Sequence, residues 1–169
     1  MVMVFVLAGV TGLMSAFVQH PLGAAPVLAA MISAVLFLRR RDVLLVGLLS
    51  VLVRDAILGF SVFTVVRVAA MLAVAGALRL ARVKPTLGSA ALGLLIAAPV
   101  YHLTLIVGDW ATQFCATEPR TLSGLMATLQ SSLPYVQRSL VTEAFFGAAL
   151  LGVYVLAGRA LHSRLEAHS

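Results

Sequence analysis

The chain is short of charge. Only 11% of its 169 residues are Asp, Glu, Lys or Arg, against roughly 25% in a soluble domain. No long polar stretch separates its apolar runs, which excludes an appended soluble domain and leaves one unit over 1–169. Cysteine is nearly absent. Cys115 stands alone, so an internal disulfide and a thiolate metal site are excluded, and the residue reads as small and apolar. The segment Met1–Val18 lacks the basic start of a signal peptide and is expected to remain as a helix. There is no Gly-x-x-x-x-Gly-Lys-Ser/Thr loop to hold ATP. No nucleophile–base pair or metal-ligand pair falls at usable spacing, so the chain does not read as an enzyme.

What is abundant is apolar. Hydrophobic residues make up 62% of the chain and recur in runs along its whole length, the composition of a protein whose solvent is lipid. A spanning helix needs about 20 apolar residues. The runs predict an all-α integral membrane bundle of about six transmembrane helices, near 2–18, 26–38, 43–58, 62–80, 88–107 and 138–157. Pro26 suits the first turn of the second helix. Gly59-Phe60-Ser61 is the expected turn between the third and fourth. Leu122, Leu125, Met126, Leu129 and Leu133 fall at helical spacing in the long connection 108–137. That spacing predicts a separate amphipathic segment over 121–132, able to lie at the interface or fold over the bundle as a lid.

The formal net charge is +6, but the basic residues sit in short clusters between spans, a pattern of topology rather than of nucleic-acid binding. Arg39, Arg40, Arg41, Arg79, Arg82, Lys84, Arg159 and Arg164 fall on one side of a six-helix arrangement. The positive-inside rule makes that side cytoplasmic. Both termini are then cytoplasmic, in a multi-pass protein of the bacterial inner membrane. On the other side, Asp55, Asp109, Glu118 and Glu143 face Arg54, Arg67, Arg120 and Arg138, four acids against four bases.

Charges in apolar helices turn inward and pair, since each costs about 2.5–3.5 kcal/mol at the bilayer centre on insertion scales. Arg67, His102 and Glu143 each fall about 8 Å below the outer end of a predicted helix at 1.5 Å per residue. Asp55, Arg67, His102, Asp109, Arg138 and Glu143 are therefore the candidate substrate-binding residues. The bland alternative is an internal ion network, with Arg67 held by Asp55 or Glu143. No metal is expected and no cofactor. Tetrapyrrole ligation by His102 is the weaker reading, because no second histidine has ligand spacing. His20 reads as interfacial, His162 and His168 as part of the basic tail, and Trp110 and Tyr135 as interface anchors.

Ala8, Gly12 and Ala16 fall four apart on the first helix, a spacing that lets another helix approach closely. The stripe suits a partner helix or internal packing.

These features resemble the S components of energy-coupling-factor (ECF) vitamin transporters. They resemble more closely an uncharacterised bacterial membrane family that is itself S-component-like. In that family a His-Pro precedes Asn-Phe-Thr-Pro; here His20-Pro21 and Pro26 are present, with Gly23-Ala24-Ala25 between. Its Ser-Asp-Leu-Leu-Leu-Gly-Phe resembles the stretch from Arg54 and Asp55 to Gly59 and Phe60. Its Thr-Asn-Phe-Gly-X-Trp resembles Leu105 to Trp110. Its Tyr-Pro-Arg-Thr-Leu-Ala-Gly-Leu is similar to Glu118 to Leu125, and its Leu-Pro-Phe-Phe-Arg-Asn-Thr-Leu-Leu-Gly-Asp to Leu133 through Glu143. The resemblance covers roughly His20 to Ala157, and Pro119 to Glu143 is its most specific part. Three family asparagines are replaced, by Gly23 or a neighbour, by Ile106 and by Arg138, which changes the hydrogen bonding available to a ligand.

The resemblance implies a substrate-binding subunit that takes up a small polar metabolite with a separate transmembrane coupling protein and ATPases. The connection 108–137 would be its lid, and Ala8, Gly12 and Ala16 would face the coupling protein. The alternative is a non-catalytic accessory subunit of a larger respiratory or photosynthetic membrane complex. Its partners would then be other subunits and membrane lipids. Neither reading involves nucleic acid.

Overall fold

A computed structural model describes residues 2–17, 27–36, 38–84 and 86–166. His20, Pro21, Gly23, Pro26 and His168 lie outside them, as do the side chains of Arg40, Arg159, His162 and Arg164. The described residues form six helices and no strand: α1 (Val2–Phe17), α2 (Val27–Ala34), α3 (Arg40–Leu58), α4 (Val62–Leu80), α5 (Leu87–Thr112) and α6 (Leu122–Glu166).

Length and composition sort these helices. Only α4 and α5 are long and apolar enough to cross a membrane. The 16 residues of α1 are apolar but short. α3 has the length of a span but carries charge near both ends, at Arg40-Arg41-Asp42 and Arg54-Asp55. α2 has eight residues, all of them buried, and reaches only about 12 Å. It is the axis of the bundle, touching α1, α3, α5 and α6. Val4, Leu28, Met31, Val46, Val51, Met71 and Val74 fill the core around it.

Two connections differ from expectation. α5 runs on through Gly108, Asp109 and Trp110 to Thr112, and Gln113 closes it in the left-handed conformation (φ 57°). The amphipathic segment and the sixth helix are one continuous helix, because Pro134 is accommodated inside α6. A proline removes one backbone donor and strains the preceding turn, but here the helix continues on both sides. The connection shrinks from the expected 108–137 to 113–121 and is closely hydrogen-bonded. Trp110 Nε1 donates to the Pro119 carbonyl (3.1 Å). Gln113 Nε2 donates to the carbonyls of Trp110 (2.8 Å) and Glu118 (2.9 Å). The Thr121 hydroxyl accepts from the Gly124 N–H (3.2 Å) and caps α6.

Of the two expected uses of the small-residue stripe, a partner helix or internal packing, Ala8 and Gly12 serve internal packing. Ala8 and Gly12 are buried within the chain, and α1 packs chiefly on α3. A Cβ at Gly12 would meet Val53 Cβ at 2.7 Å and the Ser50 carbonyl oxygen at 2.8 Å. The stripe receives this chain's own α3. α1 turns Met3, Phe5, Val6, Val10, Leu13 and Phe17 outward instead. Gly12→Leu is accordingly expected to cost about 1–3 kcal/mol through overpacking, read as a lower unfolding midpoint in detergent. Gly9→Ala is the control. Its Cβ would meet nothing within 4 Å, so it should hold or raise the midpoint through better helix propensity.

Candidate functional site

The α3–α4 hairpin sets up the site. Gly59 makes the turn at φ 97°, a conformation that favours glycine, and Ser61 begins α4 with a reciprocal capping box to Thr64. This turn brings Asp55, near the end of α3, against Arg67, in the second turn of α4. Arg67 Nη1 donates to both Asp55 oxygens, at 2.9 Å each. Arg54 Nη1 donates to Asp55 Oδ1 at 2.6 Å. The Asp55 side chain is 1% exposed and those of Arg54 and Arg67 are 7% and 15% exposed. A buried and a half-buried guanidinium thus both bond one buried carboxylate.

Aromatic rings hold the arrangement from the side. The Arg67 guanidinium lies 4.8 Å from the Phe63 ring centroid, a cation–π contact. Phe63 stacks on Phe114 at 5.2 Å, which ties the 113–121 connection to α4.

The guanidiniums border a small chamber of about 50 Å³, lined by Ser15, Val27, Val51, Arg54, Phe63, Arg67, Tyr101, Leu105 and Tyr135. Every one of the six helices contributes to this lining. The Ser15 side chain is fully buried and its hydroxyl has no hydrogen-bond partner among the described residues. Hydroxyls in helices commonly bond back to the carbonyl four residues earlier; this one does not. Buried His102 is next to the chamber, with its ring 5.4 Å from Tyr101 and 6.5 Å from Tyr135, edge-on to both. Its Nε2 also has no partner among the described residues. Among the described residues, no three His, Cys, Asp or Glu side chains come together to hold a metal.

The six predicted site residues therefore separate. Asp55 and Arg67 meet at the chamber, and His102 adjoins it. Glu143 does not line it. The Glu143 carboxylate is buried and accepts the Ala29 N–H at 2.7 Å, so it caps the first turn of α2, where helical N–H groups have no carbonyl partner. Asp109 Oδ1 accepts the Cys115 N–H at 2.8 Å and staples the connection. Arg138 is exposed on α6. Cys115 is exposed. Desolvation of its sulfur, then the nearby Asp109 charge, pushes its thiol up.

The family of unknown function DUF6580 matches residues 1–165. The chain belongs to that family. No curated protein and no solved structure matches it. The site's chemistry is thus read from the residues of the DUF6580 chain itself.

Sequence reasoning passes over Ser15, Arg54, Tyr101 and Tyr135 as lining residues. One signal for Ser15 is present. Thr11 and Ser15 are the only hydroxyl side chains of α1, four residues apart on the face that carries Ala8, and both are buried. Tyr135 reads as an anchor at the membrane surface in the sequence, because it falls between the expected segments 121–132 and 138–157, whereas α6 runs through it and past the chamber.

Proposed function

We propose that this chain is a multi-pass subunit of the bacterial inner membrane, with six membrane-embedded helices and both termini cytoplasmic. It captures a small polar metabolite through an anionic group. The observation that carries this reading is the Asp55 carboxylate held by the buried Arg54 and half-buried Arg67 guanidiniums, bordering a chamber where the Ser15 hydroxyl has no partner among the described residues. Intramembrane ionisable residues of this kind mark ligand sites by default. An anionic group would accept from Arg54, Arg67 and Ser15, with the Tyr101 and Tyr135 hydroxyls beside it. About 50 Å³ is under two water volumes at ~30 Å³ each, room for one small anionic group. The resemblance to S components supports delivery by a separate coupling protein and ATPases.

The chamber's small size and the three replaced asparagines favour a second reading, a non-transporting accessory subunit of a respiratory or photosynthetic complex. Purification from the native membrane separates the two. Co-purification with an ATPase and a coupling protein is the expected result; stoichiometric recovery within a redox or light-harvesting assembly, without an ATPase, overturns it. The chamber itself is tested by titrating acetate and inorganic phosphate against the purified protein. At least one should raise the unfolding midpoint of the wild type, and neither should raise that of Ser15→Ala or Arg67→Met. Equal shifts in all three proteins would place anion binding elsewhere.

A further inference from the structure

A second, larger cavity lies at the other end of α3 and α4. It has a volume of about 700 Å³ and opens between the end of α2, the start of α3 and the end of α4. Its size falls within the roughly 300–1,000 Å³ of small-molecule pockets. α3 starts at this cavity and ends at the chamber. Val43 lines the cavity and Arg54 the chamber, 11 residues or about 16 Å apart along the helix. The two sites are therefore distinct.

The walls and mouth differ in chemistry. Leu72, Ala75 and Gly76 of α4 make one wall, with Met31 of α2 among the residues opposite. Arg39, Arg41 and Arg79 complete the lining, and all three are exposed. An acid beside them among the described residues is Asp42, whose contact with Arg41 is long (3.7 Å) and involves a largely exposed arginine side chain, an arrangement worth little. No ion pair among the described residues holds Arg39 or Arg79. α3 also begins here, without a side-chain cap and with Asp42 in its first turn, so the helix dipole and that carboxylate offset one another at the mouth.

We propose that this cavity binds an anionic phospholipid, with an acyl chain against the α4 wall and the phosphate at Arg39, Arg41 and Arg79. The inference goes beyond the proposed uptake role and rests only on the membrane placement. A neutral lipid would leave three clustered guanidiniums without a counter-charge, and a free phosphate would leave the apolar wall uncovered. Basic pockets between membrane helices on the cytoplasmic side recognise anionic headgroups in this way.

The test uses the full chain in mild detergent with defined lipids, read by native mass spectrometry. The wild type should retain phosphatidylglycerol over phosphatidylcholine by about tenfold. The triple variant Arg39→Gln, Arg41→Gln, Arg79→Gln should lose that preference. Gly76→Leu should retain less of both lipids, because a Cβ there meets nothing within 4 Å and the added bulk enters open space. Equal retention of both lipids by the wild type overturns the proposal, as does undiminished preference in the triple variant. Stabilisation by inorganic phosphate equal to that by phosphatidylglycerol overturns the acyl-chain part. If the triple variant does not fold, Gly76→Leu and a photoreactive residue at Leu72 decide. A crosslink to phospholipid supports the assignment, and a crosslink to a polypeptide gives the groove to a partner helix and overturns it.

Discussion

Asp55→Ala is expected to lower stability by about 3–5 kcal/mol, the cost of removing one member of a buried ion pair, seen as a large fall in the unfolding midpoint in detergent. The cause is the charge left behind. Arg54 and Arg67 both donate to Asp55, and without it two cations stay close together in a buried setting. Arg67→Met should cost less, about 1.5–3 kcal/mol for the shared charge-assisted hydrogen bonding of one Nη1 to both Asp55 oxygens, because Arg54 and Asp55 remain as a neutral pair. Equal losses from the two substitutions would mean that the carboxylate is not what balances the guanidiniums. Replacing all three charges together (Arg54→Leu, Asp55→Leu, Arg67→Met) should recover much of the stability lost in Asp55→Ala, since apolar replacement of a buried ion cluster is often neutral or favourable. That variant should lose any response to acetate or phosphate, which separates the cluster's role in folding from its role in binding.

The cluster is partly legible in the sequence for the same electrostatic reason. A charge in an apolar helix must find a counter-charge, so the positions of Asp55 and Arg67 within apolar runs already mark both as inward-facing. Which acid Arg67 meets is not legible there. The α3–α4 turn at Gly59 settles that in favour of Asp55, while Glu143 is engaged with the start of α2. Ser15 and Tyr101 give weak signals because serine and tyrosine are tolerated on many helix faces, and only the packing of six helices shows that both reach one cavity. Helix positions follow a similar division. α4 occupies Val62–Leu80, the same residues as the expected fourth helix, because an apolar run broken by Arg67 marks its body and the Gly59-Phe60-Ser61 turn marks its start. The end of α5 and the whole of α6 are harder to read. Gly108 and Pro134 look like breaks from local propensity alone, but Gly108 takes a close approach of Val66 from α4, and α6 passes through its proline.

Glu143→Leu should be the second most damaging single change, at about 2–3 kcal/mol. Its carboxylate is the long-range partner of the Ala29 N–H, from 114 residues away in sequence. Leucine removes the acceptor and leaves a buried donor unpaired, which costs about 1–3 kcal/mol. It also removes a carboxyl from a helix N-terminus, where an anionic group is favoured. The damage should spread, because α2 is the helix that α1, α3, α5 and α6 all touch, and an eight-residue helix has little stability of its own. Glu143→Gln keeps an oxygen that can accept the same hydrogen bond, so it should lose markedly less. The comparison is made on detergent-purified proteins by unfolding midpoint, with a cysteine introduced at Ala30 as a local probe. Ala30 is 4% exposed, so its thiol should resist alkylation in the wild-type background and in Glu143→Gln, and react in Glu143→Leu. A protected Ala30 thiol in Glu143→Leu, with an unchanged midpoint, would show that the axis of the bundle does not depend on this carboxylate. An equal loss from glutamine and leucine would instead trace the effect to the carboxylate's charge and not to its hydrogen bond.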